Sequence, residues 1–226
     1  ENGMPTSNIY QCAAIYAGTS QVAVTDTQFR GNRVNTTNSY GGGMGSGNAG
    51  GLYLASGTKA KIDRCEFFGN LAYDVGAIYV SGATADITNS RFVENIATSV
   101  RISGSNGTTT PAGAAALYIT SGGSPTGSGN SQVSLTNCLL LRNRVATDYS
   151  DIYLAANGKL NLMNVSIAGG EGSAGCVYLA GTADIQNSIL SGNVVLAASG
   201  ATLTARNNAV LADWSAYGTG NITADP

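Results

Sequence analysis

The sequence contains no histidine, and only 11% of its residues are charged. With no zinc-type cysteine spacing either, no metal centre is expected. A formal net charge of −2 provides no basic surface for a nucleic-acid backbone, so nucleic acid is an unexpected partner. No apolar stretch approaches the ~20 residues a membrane-spanning helix needs, and no membrane insertion is expected. The glycine-rich stretch "GGGMGSGNAGG" (residues 41–51) resembles a nucleotide-binding loop in composition only, because no helical pattern follows it, and no cofactor is expected. Residues Glu1 to Pro5 lack the basic start and apolar run of a signal peptide, as a processed or excised chain would.

What the chain does contain is repetition. An aliphatic residue is followed five positions later by an apolar one at Val24/Phe29, Ile62/Phe67, Ile87/Phe92, Leu135/Leu140, Leu162/Ile167, Ile185/Leu190 and Ala205/Val210. Three residues past the second anchor stand Asn32, Asn70, Asn95, Asn143, Gly170, Asn193 and Asp213; two past the first stand Asp26, Arg64, Asn89, Asn137, Asn164, Asn187 and Asn207. Each unit opens with an aliphatic-Tyr dipeptide: Ile15-Tyr16, Leu52-Tyr53, Ile78-Tyr79, Leu117-Tyr118, Ile152-Tyr153 and Val177-Tyr178.

A unit of about 20 to 27 residues with three β-prone runs and no helical period cannot bury an apolar face alone; stacked on its copies it forms parallel sheets around a narrow core. The expected fold is all-β, a right-handed single-stranded parallel β-helix (β-solenoid) of about seven coils, in one domain over residues 1–226. Asn suits a turn repeated at every coil. It tolerates left-handed backbone, and its amide can bond to the next Asn in the stack.

The phrases "FRGN", "FFGN", "FVEN", "LLRN" and "LSGN", preceded by "GGLYLASG", "GAIYVSG" and "AAIYAG", resemble the FxxN and GGA(I/L/V) repeats of polymorphic outer-membrane autotransporter passengers. More broadly they resemble the right-handed parallel β-helix repeat proteins of bacterial surfaces. That resemblance spans nearly the whole chain and implies an extracellular or cell-surface protein, an adhesin or a structural stalk. No membrane-barrel half is present in the sequence.

Charge placement agrees with stacking. Residues in one column of adjacent coils lie about 4.8 Å apart, and the alignment puts Asp26 over Arg64, Glu66 over Arg91, and Glu94 over Arg142. Cys65 and Cys138 share a column but are separated by the coil carrying Ser90, about 9.6 Å and out of disulfide reach. Four free, mostly buried thiols are expected, Cys12 and Cys176 among them.

Period-two alternation turns the flanking aliphatics inward and Tyr16, Tyr53, Tyr79, Tyr118, Tyr153 and Tyr178 outward. The expected result is an external stripe of uncovered rings, with small residues two positions on. It is either a stabilising aromatic ladder or a binding surface for a glycan, a host or partner protein, or another copy. Insertions at residues 35–50 and 98–116 leave from one edge of this face and that at 121–132 from the other. The primary reading is a non-enzymatic adhesive or structural surface module. The alternative is a polysaccharide lyase or glycoside hydrolase using the remaining acidic cluster Asp148, Asp151 and Glu171. The tail "DWSAYGTGNITADP" is expected to cover part of the last coil, with another strand beginning at Asn221 to Thr223. Solenoid ends template strand addition, so head-to-tail stacking into filaments is a further expectation.

Overall fold

The computed structural model describes residues 12–34, 49–98, 102–103, 109–110, 113–120, 130–145, 149–171, 175–197 and 200–223. Within them the repeat becomes a parallel β-solenoid. The opening strands Ile15–Ala17, Leu52–Leu54, Ile78–Ser81, Leu117–Thr120, Tyr149–Leu154, Gly175–Leu179 and Val194–Leu196 form one seven-stranded sheet, the Tyr sheet. The strands that follow them, from Gln21–Thr25 to Thr202–Arg206, form a seven-stranded middle sheet. A third sheet runs from Gln28–Arg30 to Ala209–Val210 and gains an eighth strand, Ile222–Thr223.

Every anchor column is in register. Val24 pairs with Ile62, Ile62 with Ile87, and so on to Ala205. Phe29, Phe67, Phe92, Leu140, Ile167, Leu190 and Val210 form the matching column of the third sheet. These side chains point inward and are buried in one continuous core. Phe29, Phe67 and Phe92 stack with ring centroids 4.7 and 4.9 Å apart, near the strand spacing that the backbone imposes.

The two Asn columns divide the expected roles between them. The column two residues past the first anchor supplies the left-handed turn, with φ of 51° at Asp26, Arg64 and Asn89, 54° at Asn137 and Asn164, 50° at Asn187 and 55° at Asn207. Its exposed amides bond coil to coil, Asn137 Nδ2 to Asn89 Oδ1 at 3.2 Å and Asn164 Nδ2 to Asn137 Oδ1 at 3.0 Å. In the FxxN column, Asn70, Asn95 and Asn143 are instead fully buried and lack positive φ. Each donates Nδ2 to a carbonyl one coil back: Phe29, Phe67 and Phe92 respectively. Asn70 donates its backbone N–H and Nδ2 to Asn95 Oδ1, and Asn95 does the same to Asn143 Oδ1, all at 2.9–3.1 Å.

The expected charge pairs form: Arg64 to Asp26 at 2.7 Å, Arg91 to Glu66 at 2.6 Å and Arg142 to Glu94 at 2.9 Å. Glu66 is shared, since Arg30 reaches it from the other side. All four cysteines are free, with Cys65, Cys138 and Cys176 buried. Burial raises their thiol pKa values, so these groups act as small apolar fillers. In the "GGLY" and "GAIY" openings the glycines are required by close coil packing. A Cβ at Gly50 would lie 2.3 Å from the Gly76 carbonyl, and one at Gly76 would lie 2.6 Å from the Ile96 nitrogen.

Two features go beyond the three-run unit. Past the FxxN turn lies a short fourth ladder, Leu71–Ala72, Ile96–Ala97 and Arg144–Val145, continued by single bridges at Arg33 and Glu171. The tail closes the seventh coil with Trp214, which is 3% exposed, and with the 3₁₀ turn Ser215–Tyr217. Asn221 then repeats the ladder chemistry at Asn208, accepting its backbone N–H and side-chain amide, as the eighth strand begins.

Candidate functional site

The Tyr sheet brings six of the sequence-predicted residues together. Tyr16, Tyr53, Tyr79, Tyr118, Tyr153 and Tyr178 occupy one register column, which Val195 continues in the seventh coil. Parallel strands hold the rings one coil apart, with successive centroids at 5.2, 4.9, 5.2, 4.6 and 5.0 Å. The stack lies outside the aliphatic core, in clusters of its own.

The expectation of uncovered rings needs correction. Tyr16, at the end of the stack with one face open, is 55% exposed, whereas Tyr53 and Tyr153 are only 9% and 8% exposed. Stacking hides both faces of an interior ring. Ala49, Val75 and Ala114, three residues before the strands, pack beside it, and Ala55 and Ala155 press from the other side. Tyr79, Tyr118 and Tyr178 remain half-buried. Past Tyr16, the stripe therefore presents ring edges rather than open faces. Burial raises the Tyr53 phenol above its ordinary pKa although its hydroxyl hydrogen-bonds to the Ser81 side chain. Beside it, burial pushes the half-buried Asp74 carboxyl up to about 7.

The alternative acidic cluster is distributed differently. Asp148 lies outside the described residues. Asp151 is fully buried, and its Oδ1 accepts Asn143 Nδ2 at 2.8 Å. This carboxylate thus receives the buried Asn ladder where the fifth coil carries Gly170 in place of asparagine. Glu171 is exposed on the fourth ladder, bridged through its backbone to Arg144. Among the described residues no group of three or more acidic or cysteine side chains could hold a metal ion.

The insertions 35–50, 98–116 and 121–132 lie largely outside the described residues. Their described flanks, Val34 and Ala49, Thr98 and Gly113, and Thr120 and Asn130, show that two join the Tyr sheet at its entry edge and one at its exit edge. Sequence reasoning passed over Asp74, which occupies the uninterrupted entry turn between two of these insertions. It also passed over Arg33 and Arg144, although the paired phrases "GNRV" and "RNRV" place an arginine just past the FxxN turn in two coils. The chain matches no protein-family model, no curated protein and no solved structure.

Proposed function

We propose that this protein is a non-enzymatic β-solenoid surface module, extracellular or cell-surface, that presents the Tyr edge as a contact surface for a glycan or partner protein. The observation that carries the reading is the continuous six-ring stack outside the aliphatic core. A row of phenol edges offers apolar area and hydroxyls together, at a fixed repeat, on a rigid support. The likeness of its FxxN and GGA(I/L/V) phrases to autotransporter passenger repeats supports the same reading, as does the use of Asp26, Glu66, Glu94 and Asp151 in coil-to-coil contacts rather than in an open site. End-to-end stacking into filaments is its structural form, and the exposed eighth strand, with Ile222 at 63% exposure, supplies a surface for it.

The test is a glycan array and a surface-protein pull-down with the wild-type chain and Tyr79→Ser/Tyr118→Ser. Both rings are half-buried, so the fold should survive while binding falls at least tenfold. Release of oligosaccharide from a polysaccharide, lost in Asp151→Asn or Glu171→Gln, would replace this reading with the enzymatic one.

A further inference from the structure

On the corner opposite in kind to the Tyr stripe, a groove of about 680 Å³ runs across the first five coils, lined by four arginines and two glutamates. Its geometry follows from the left-handed turn after the third sheet. At that turn Gly31 and Gly69, with φ of 61°, leave open space, since a Cβ at either would meet nothing within 4 Å. The same turn carries Glu94 and Arg142 in the third and fourth coils, paired to each other. On the third-sheet side, Arg30 lies over the Phe68 ring at 5.5 Å and is held by Glu66. On the fourth-ladder side, Arg33, Leu71, Ile96, Arg144 and Glu171 form one outward column.

Arg33 and Arg144 differ from the other lining arginines. Both are exposed, and neither forms an ion pair among the described residues, although Glu171 stands one rung from Arg144, whereas Arg30 and Arg142 are paired. Three ladder steps separate them, about 14 Å along the solenoid axis, with half-buried Leu71 and Ile96 between. Arginine presents a planar fork that binds carboxylate and sulfate groups bidentately. Two such forks joined by an apolar floor suit a ligand with regularly spaced anionic groups and weakly polar faces between them.

We infer that this corner groove binds an acidic polysaccharide, lying along the solenoid axis with a carboxylate or sulfate at each unpaired arginine. A hexose unit advances a glycan by nearly one coil rise, so the two arginines would meet every third sugar. Nucleic acid is disfavoured because Phe68, the one aromatic ring among the described lining residues, is covered by Arg30, so the groove offers no ring on which bases stack. An acidic peptide is disfavoured because the groove runs across the strands and offers no free strand edge for backbone pairing. The site is separate from the Tyr face and does not depend on it.

Fluorescence anisotropy with labelled hexagalacturonate and a sulfated heparin hexasaccharide tests the assignment. Neutral maltohexaose, hexaglutamate and a twelve-nucleotide single strand serve as comparison probes. Binding of either acidic glycan, weakened by added salt and reduced at least tenfold in Arg33→Ala/Arg144→Ala, is the expected result; which glycan binds separates carboxylate from sulfate recognition. Lys59→Ala/Lys61→Ala, on the middle sheet, should bind like wild type, and circular dichroism should show all variants folded. No binding of either glycan at millimolar protein, equal binding by the double arginine variant, or equal or tighter binding of the peptide or the nucleic acid would overturn it. Failure here with an intact Tyr-dependent interaction would leave the surface-module reading standing.

Discussion

Replacing Asn95 by alanine removes one rung of the buried amide ladder. Asn95 is fully buried. Its Oδ1 accepts the Asn70 backbone N–H at 3.1 Å and Asn70 Nδ2 at 2.9 Å, and its Nδ2 donates to the Phe67 carbonyl at 2.9 Å and Asn143 Oδ1 at 3.0 Å. The substitution leaves the Asn70 N–H without a side-chain acceptor where water cannot replace it. Asn70 Nδ2 keeps Phe29 O, and Asn143 Oδ1 keeps the Asn95 N–H. A stranded buried donor costs about 1–3 kcal/mol and each of the three other lost bonds about 0.5–1.5 kcal/mol, so the expected destabilisation is about 2.5–7.5 kcal/mol.

The exposed ladder supplies the comparison. Asn137 makes the same kind of coil-to-coil amide contact, but in water, with φ of 54°. Asn137→Gly removes the amide without backbone strain and should cost less than about 1 kcal/mol. Asn137→Ala adds the left-handed penalty of about 1–2 kcal/mol. Urea unfolding followed by circular dichroism measures all three. Amide exchange at Asn70 guards against unfolding coil by coil, which solenoids allow. If Asn95→Ala falls within about 1 kcal/mol of Asn137→Gly, burial does not make this ladder costly to break and the reasoning fails.

Phe67→Ala and Phe92→Ala should each destabilise by about 3–5 kcal/mol, because both rings are fully buried in a stack fixed at strand spacing; denaturant melts giving less than about 1 kcal/mol would place the rings outside the core. Asp74 yields a pH effect: its folded pKa, about 7, lies above the ordinary carboxyl value, so the folded state holds the extra proton and stability falls as pH rises from about 4 through 7. Melting temperatures taken across that window should drop for the wild type and stay flatter for Asp74→Asn; equal slopes would refute the assignment. At Asp151, asparagine retains an acceptor for Asn143 Nδ2 and leucine does not, so thermal or urea melts should rank Asp151→Asn well above Asp151→Leu, which strands an amide hydrogen at about 1–3 kcal/mol.

The columns were legible in the sequence because a solenoid gives each coil nearly the same surroundings. A residue type repeated at one position therefore reports one environment several times over. Phe67 over Phe92, Glu94 over Arg142 and the run Asn89, Asn137, Asn164 all follow from alignment alone. What one coil's sequence does not carry is what lies beside a column. Tyr53 and Tyr153 are covered by Ala49 and Ala114, which follow insertions of unequal length and so stand at no fixed offset from the preceding FxxN turn. The fourth ladder has only two residues per coil, too few for alternation to announce a strand. Trp214, met once, gave no repeat from which its burial could be read.

Asp151 shows how a break in a column becomes informative once the stack is drawn. From sequence it stood out as a carboxylate near Asp148 and Glu171, the arrangement hydrolytic chemistry would use. The FxxN column reads Asn, Asn, Asn, Asn and then Gly170, so the ladder's last donor, Asn143 Nδ2, meets no asparagine in the fifth coil. A buried donor in that position requires an acceptor, and Asp151, in the strand that opens the fifth coil, provides it. Its carboxylate oxygen stands 2.8 Å away. The glycine and the aspartate are thus one substitution in two places: the ladder loses its rung at the turn, and the adjacent strand supplies the missing oxygen. A carboxylate that terminates a chain of buried amides is held in place by it, and this accounts for Asp151 inside the coil without asking any chemistry of it.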